Sequence, residues 1–80
     1  MPELQFNYDK ENDILYISIN RLKPSYSKED IPGIITRRDI ETDELTGITI
    51  LDFCTRLKDN SLQALELPIK VDFSAIPVNC

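Results

Sequence analysis

Eighty residues with fourteen Asp and Glu against nine Lys and Arg carry a net charge of −5. That suits one small domain over residues 1–80, with a core in 4–67 and a C-terminal arm in 68–80, and it argues against nucleic-acid and acidic-membrane partners, which select a basic surface. The chain has no histidine, so Ser-His-Asp catalysis, Cys-His catalysis and zinc hydrolysis on His ligands lack their base or ligand.

Leu4, Phe6 and Tyr8 alternate with Gln5 and Asn7, the period of a half-buried strand. Asp9 to Asp13 break that pattern. Lys10 and Glu11 fit a type I turn, with Asn12 in the left-handed conformation that Asn tolerates. A second strand follows over residues 14–20. Leu15, Ile17 and Ile19 share one face and Ile14, Tyr16 and Ser18 the other, the pattern of a central strand.

Residues 21–24 connect to a polar, exposed strand over 25–29, and Ile31-Pro32-Gly33 reads as a turn. Residues 34–38 form another strand, 41–44 a second acidic turn, and 47–53 the second strong strand. In the last of these Ile48, Ile50 and Asp52 share one face, and Thr49, Leu51 and Phe53 the other. Asp52 then stands where its carboxylate can cap a helix starting near Phe53 or Cys54. Asp59-Asn60-Ser61 offers a further break, after which Leu62, Leu65 and Leu67 fall near helical spacing until Pro68. Residues 69–73 alternate as a last short strand or an extended arm. The fold class is α+β, an antiparallel meander of four to five strands with a short C-terminal helix on one face.

The acidic turns are the obvious candidate sites. Carboxylates at alternate positions can converge on a hard cation, so Asp9, Glu11, Asp13, Glu41 and Asp43 are candidate metal ligands, with Glu44 beside them. An EF-hand loop needs Gly sixth and Glu twelfth, positions held here by Ile14 and Asn20. A solvated hairpin loop whose Asp side chains bond nearby amides explains the same residues. Tyr8 and Tyr16 flank the first turn and, with Asp9, Glu11 and Asp13, are candidate ligand contacts; as ordinary strand tyrosines they would cover the sheet.

Asp52 and Glu11 are the candidate carboxylate bases, Asp52 competing with its capping role. Cys54 and Cys80 make no disulfide framework, and Cys54 is expected to pack rather than react. No zinc ligand spacing is present and no cofactor is expected. Asp9-x-Glu11-x-Asp13-x-Leu15 recurs as Asp39-x-Glu41-x-Asp43-x-Leu45, each copy leading into a strong strand. The repeat reads as convergent turn chemistry, or alternatively as an ancestral duplication.

The run Tyr8-Asp9-x-Glu11-x-Asp13-x-Leu15-Tyr16-Ile17 resembles the signature of the YuzE-like family, domain of unknown function 2283. Gly47-Ile48-x-Ile50-Leu51-Asp52 is similar to that family's second strand, and Ile31-Pro32-Gly33-Ile34-Ile35 sits at its central turn. The family usually has Gly in the second turn, where Asp43 stands here. The resemblance, over about residues 4 to 58, implies a small antiparallel sheet with a helix and transfers no catalytic residue.

No stretch approaches the roughly 18 apolar residues of a membrane span. Residues 1–5 show no signal core, so a cytoplasmic protein is expected. Short length and two-faced apolar strands point to a non-enzymatic interaction module that self-associates as a homo-oligomer, such as a dimer, with another protein as a further partner class. The alternatives are weak divalent-cation or small-ligand binding through the acidic loops, and a carboxylate-based hydrolase.

Overall fold

The structure, a computed structural model, describes residues 4–19, 23–59, 61–64 and 73. Its strands are β1 (Gln5–Asp9), β2 (Ile14–Ser18), β3 (Ser25–Ile31), β4 (Ile34–Asp39) and β5 (Leu45–Leu51), followed by the helix α1 (Phe53–Lys58) and a 3₁₀ turn at Ser61–Ala64. All pairings are antiparallel, in the order β1-β2-β5-β4-β3. The fold class is therefore α+β, as the alternating pattern indicates. Two local runs, the hairpin β1–β2 and the meander β3–β4–β5, are joined where β5 lies against β2.

The alternation of β2 and β5 becomes the core directly. Leu15 opposes Ile50, and Ile17 opposes Ile48. All four are buried, together with Ile34, Phe53 and Leu62. Burying one such side chain stabilises the fold by about 1.5–3 kcal/mol, and these seven form the buried apolar core among the described residues. On the opposite face Ile14, Ser18, Ile35, Thr49 and Leu51 are only half-buried and Tyr16 is exposed.

Phe53 is a correction. Strict alternation puts it with Thr49 and Leu51, away from Ile48 and Ile50. The strand instead ends at Leu51, and Asp52 takes a left-handed backbone with φ 54°. That single residue turns the chain, so Phe53 swings onto the core face. There its ring meets Tyr8 edge-on at 6.0 Å and lies 6.2 Å from Phe73.

After α1, Asp59 closes the break as its composition suggests: its Oδ1 accepts from the Ser61 amide at 2.9 Å. That bond holds the Asp59 carboxyl below its ordinary value. A 3₁₀ turn over Ser61–Ala64 carries buried Leu62 at the start of the expected helix. Leu65, Leu67, Pro68 and residues 69–72 lie outside the described residues.

Candidate functional site

The first acidic turn joins β1 to β2 across Asp9–Ile14. Asp9 Oδ1 accepts from the amides of Glu11 at 3.1 Å and Asn12 at 3.3 Å, and Oδ2 accepts from the Asn12 side chain at 2.8 Å. The Asn12 bonds, its side-chain amide above all, hold the Asp9 carboxyl below its ordinary value. The left-handed residue is Asp13, φ 55°, and not Asn12. The loop needs four residues to close, so the positive φ falls on the one entering β2.

Asp13 does more than turn the chain. Its carboxylate accepts from the Tyr8 hydroxyl at 2.7 Å and from the Cys54 amide at 3.0 and 3.2 Å, while its carbonyl accepts from the Phe53 amide at 3.0 Å. Asp13 thus satisfies two exposed amides at the start of α1, the work expected of Asp52. Asp52 does occupy the N-cap position, but its side chain makes no capping bond. Its backbone is left-handed, where a capping residue is ordinarily extended, and the Phe53 and Cys54 amides are taken by Asp13.

The Tyr8 hydroxyl also lies 3.2 Å from Cys54 Sγ. Its proton is held more tightly than in a free tyrosine, mainly by the bond to Asp13, then by burial and the neighbouring carboxylates of Asp13 and Asp9. Cys54 is disulfide-bonded, which residue spacing alone did not indicate, because pairing depends on Cα separation in the fold. Cys80 lies outside the described residues.

The second acidic turn repeats the chemistry of the first. Asp39 Oδ1 accepts from the Glu41 amide at 2.9 Å, as Asp9 does from Glu11. Asp43 is left-handed at φ 63° and accepts a tyrosine hydroxyl, here from Tyr26 on β3. Asp39 differs in being only 5 % exposed and paired with Lys23 Nζ at 3.2 Å, which also lies 3.7 Å from Glu44. The Glu41 amide first, then Lys23 and Thr42, hold the Asp39 carboxyl below its ordinary value. Lys23 is correspondingly raised by Asp39 and Glu44.

These two turns do not come together. Ile14, next to the first, pairs with Leu51 at the end of β5, whereas Gly47, near the second, pairs with Ser18 at the end of β2. They occupy opposite ends of the sheet. Among the described residues, no group of three or more carboxylates and cysteines is arranged to hold a metal ion. Tyr8 and Tyr16 are likewise separated: Tyr8 opposes buried Leu15 on the core face, and Tyr16 opposes Asn7 on the other. Glu11 is exposed at the turn, and exposed Asp52 lies at the junction of β5 and α1.

The feature that residue-by-residue reading missed is the contrast between the two sheet edges. β3 forms one edge and carries exposed Lys28 and Glu29, with an irregular register between Lys28 and Ile31. Charges and irregularity are how edge strands discourage further pairing. β1 forms the other edge. Its residues Gln5 to Tyr8 are uncharged, its five-residue register is unbroken, and it contains no proline. Beside it Leu4 is 37 % and Phe6 43 % exposed, both apolar. Among the described residues nothing pairs with its outer side.

Residues 5–53 match the model of the protein family of unknown function DUF2283, so well over half of the chain is covered and the chain belongs to that family. The match runs from the first residue of β1 to the first residue of α1. No curated protein and no solved structure gives a match. Among the described residues no helix is long and apolar enough to cross a membrane.

Proposed function

We propose that this member of the DUF2283 family is a non-enzymatic interaction module that self-associates through the outer edge of β1. The observation that carries the reading is the asymmetry of the edges. β3 bears charges along its length and the broken register of a guarded edge, while β1 keeps an unbroken register, is uncharged from Gln5 to Tyr8 with its single charge at the terminal Asp9, and displays Phe6 with Leu4 beside it. Strand addition uses backbone groups for affinity and alternate side chains for selection, and β1 offers both. Of the carboxylates at the acidic turns, Asp9, Asp13 and Asp39 are engaged by amides and hydroxyls of their own fold.

A five-residue strand covers less area than the roughly 1,200–2,000 Å² of a stable complex, so the association is weak and concentration-dependent. The test is sedimentation of the full chain over a wide concentration range. Wild type shifts toward dimer as concentration rises. Phe6→Lys, which places on β1 the kind of charge β3 already has, stays monomeric with an unchanged circular dichroism spectrum. Ser27→Lys on exposed β3 behaves as wild type. A monomeric wild type at every concentration, or a Phe6→Lys chain that dimerises like wild type, overturns the reading.

A further inference from the structure

The repeated acidic turn is the visible part of a larger internal match. In the first hairpin the pairs are Gln5–Ser18, Phe6–Ile17, Asn7–Tyr16, Tyr8–Leu15 and Asp9–Ile14. In the second they are Ile35–Thr49, Thr36–Ile48, Arg37–Gly47 and Arg38–Leu45, closed by the bond from the Asp39 amide to the Glu44 carbonyl at 2.8 Å. Position by position these correspond, with Thr46 as one inserted residue at the register shift beside Arg37 and Arg38. The β2–β5 seam obeys the same relation. Ile17–Ile48 pairs a residue with its own equivalent, and Tyr16–Thr49 is mirrored by Ser18–Gly47. The four strands β1-β2-β5-β4 are thus two matched hairpins about a pseudo-two-fold axis at Ile17 and Ile48.

This match shows what an occupied edge looks like. β4, the equivalent of β1, already carries an antiparallel strand on its outer side: Ser25, Tyr26, Ser27 and Lys28 of β3 oppose Asp39, Arg38, Arg37 and Thr36. Their equivalents Asp9, Tyr8, Asn7 and Phe6 have no such strand among the described residues.

We infer that the strand filling this edge is β1 of a second copy, antiparallel about a true two-fold axis, with Phe6 of one copy opposite Phe6 of the other. This rests on the reading of β1 as the association edge and adds its geometry. Antiparallel pairing sends the two Asp9 carboxylates to opposite ends, whereas parallel pairing sets them side by side, where like charges disfavour the contact. A two-fold axis normal to the sheet keeps both cores on one side, so Leu4 and Phe6 of both copies meet on that side. The Phe6 register places Leu4 against Tyr8 and Gln5 against Asn7, leaving no apolar residue from Leu4 to Tyr8 unopposed. A slip by two residues toward Asn7 leaves Leu4 without a partner and sets Gln5 against Asp9. A slip by one puts apolar side chains against the polar face. The product is a continuous ten-stranded sheet with both α1 helices on the same face.

Isotope-filtered NMR on an equal mixture of carbon-13-labelled and unlabelled full chain tests this, at a concentration where sedimentation shows dimer. The expected contacts between copies are Phe6 to Phe6 and Leu4 to Tyr8, both lost in Phe6→Lys. Contacts of Leu4 to Leu4 and Tyr8 to Tyr8 mean a parallel pair, and Phe6 to Tyr8 means another register. Either overturns this geometry while leaving β1 as the edge. Contacts through β3 or the Tyr16 face, a monomer at all concentrations, or association only with a foreign strand peptide overturn both.

Discussion

The carboxylate of Asp13 accepts the backbone amide of Cys54 from forty-one residues away, at 3.0 Å. This bond ties the first hairpin to the start of α1, and the Tyr8 hydroxyl shares the same acceptor. Asp13→Ala strands a half-buried hydroxyl and a helix amide and keeps a left-handed backbone that alanine resists. The expected loss is about 2–5 kcal/mol, from an unmet polar group at about 1–3 and a left-handed alanine at about 1–2. Asp13→Asn retains an acceptor oxygen and tolerates the backbone, so it loses under about 1 kcal/mol. Urea midpoints of the two variants decide the order, and equal losses refute the capping role.

Asp52 has almost the same φ, 54° against 55° for Asp13, yet the opposite expectation applies. Its carboxylate makes no capping bond. Asp52→Gly removes backbone strain and no contact, so it is neutral or stabilising by up to about 1 kcal/mol. Asp13→Gly relieves similar strain but drops the Tyr8 and Cys54 bonds and is net destabilising. Thermal melts of the two glycine variants should move in opposite directions. A clear loss in Asp52→Gly means its side chain does work that the geometry does not show.

How legible these features were in the amino-acid string follows from their range. The alternation at Leu15-Ile17 and Ile48-Ile50 is local, and it marked β2, β5 and the centre of the core directly. Turn composition marked both hairpins for the same reason. Cap identity was not local, since Asp52 stands in the right place in sequence while Asp13 reaches across the sheet. Phe53 was misplaced because one left-handed residue resets alternation, and nothing about an Asp announces that it is left-handed. The open edge was invisible because it depends on the order β1-β2-β5-β4-β3, in which β5 rather than β3 lies beside β2.

Gly33 stands at φ 85°, and a Cβ there would lie 2.2 Å from the guanidinium of Arg56. That group is engaged: Nε donates to the Leu51 carbonyl and Nη2 to the Pro32 carbonyl, each at 2.8 Å. It fastens α1 to the turn between β3 and β4. Gly33→Ala therefore acts twice, by straining the backbone at about 1–2 kcal/mol and by evicting Arg56 from bonds worth about 0.5–1.5 kcal/mol each. A loss of about 2–5 kcal/mol is expected. In an Arg56→Ala background the second component has already gone, so the double variant should lose less than the sum of the singles. Strict additivity in urea unfolding excludes the clash as a cause.

Asp39 is the carboxyl expected to contribute most to the acid response, being the most buried of the three whose pKa is lowered. It is buried, and the Glu41 amide and the Lys23 ammonium hold its carboxyl below the ordinary value of 3.8. A carboxyl with a lower folded than unfolded pKa releases its proton more readily when folded, so it contributes stability above the unfolded value. That contribution fades as pH falls from about 4 through the folded pKa. Asp9 and Asp59 are shifted the same way, by bonds from the Asn12 side chain and the Ser61 amide. Both are local to their own loops, and Asp9 and Asp59 are each less buried than Asp39. Asp39→Asn keeps an acceptor for the Glu41 amide and removes the titration. Below pH 4 its stability should fall less steeply than that of wild type, and at neutral pH it should be lower because Lys23 has lost the nearer of its two carboxylate partners and keeps only Glu44. Urea unfolding at pH 2.5, 4 and 7 measures both effects, and parallel pH profiles for the two chains exclude Asp39 as the group responsible.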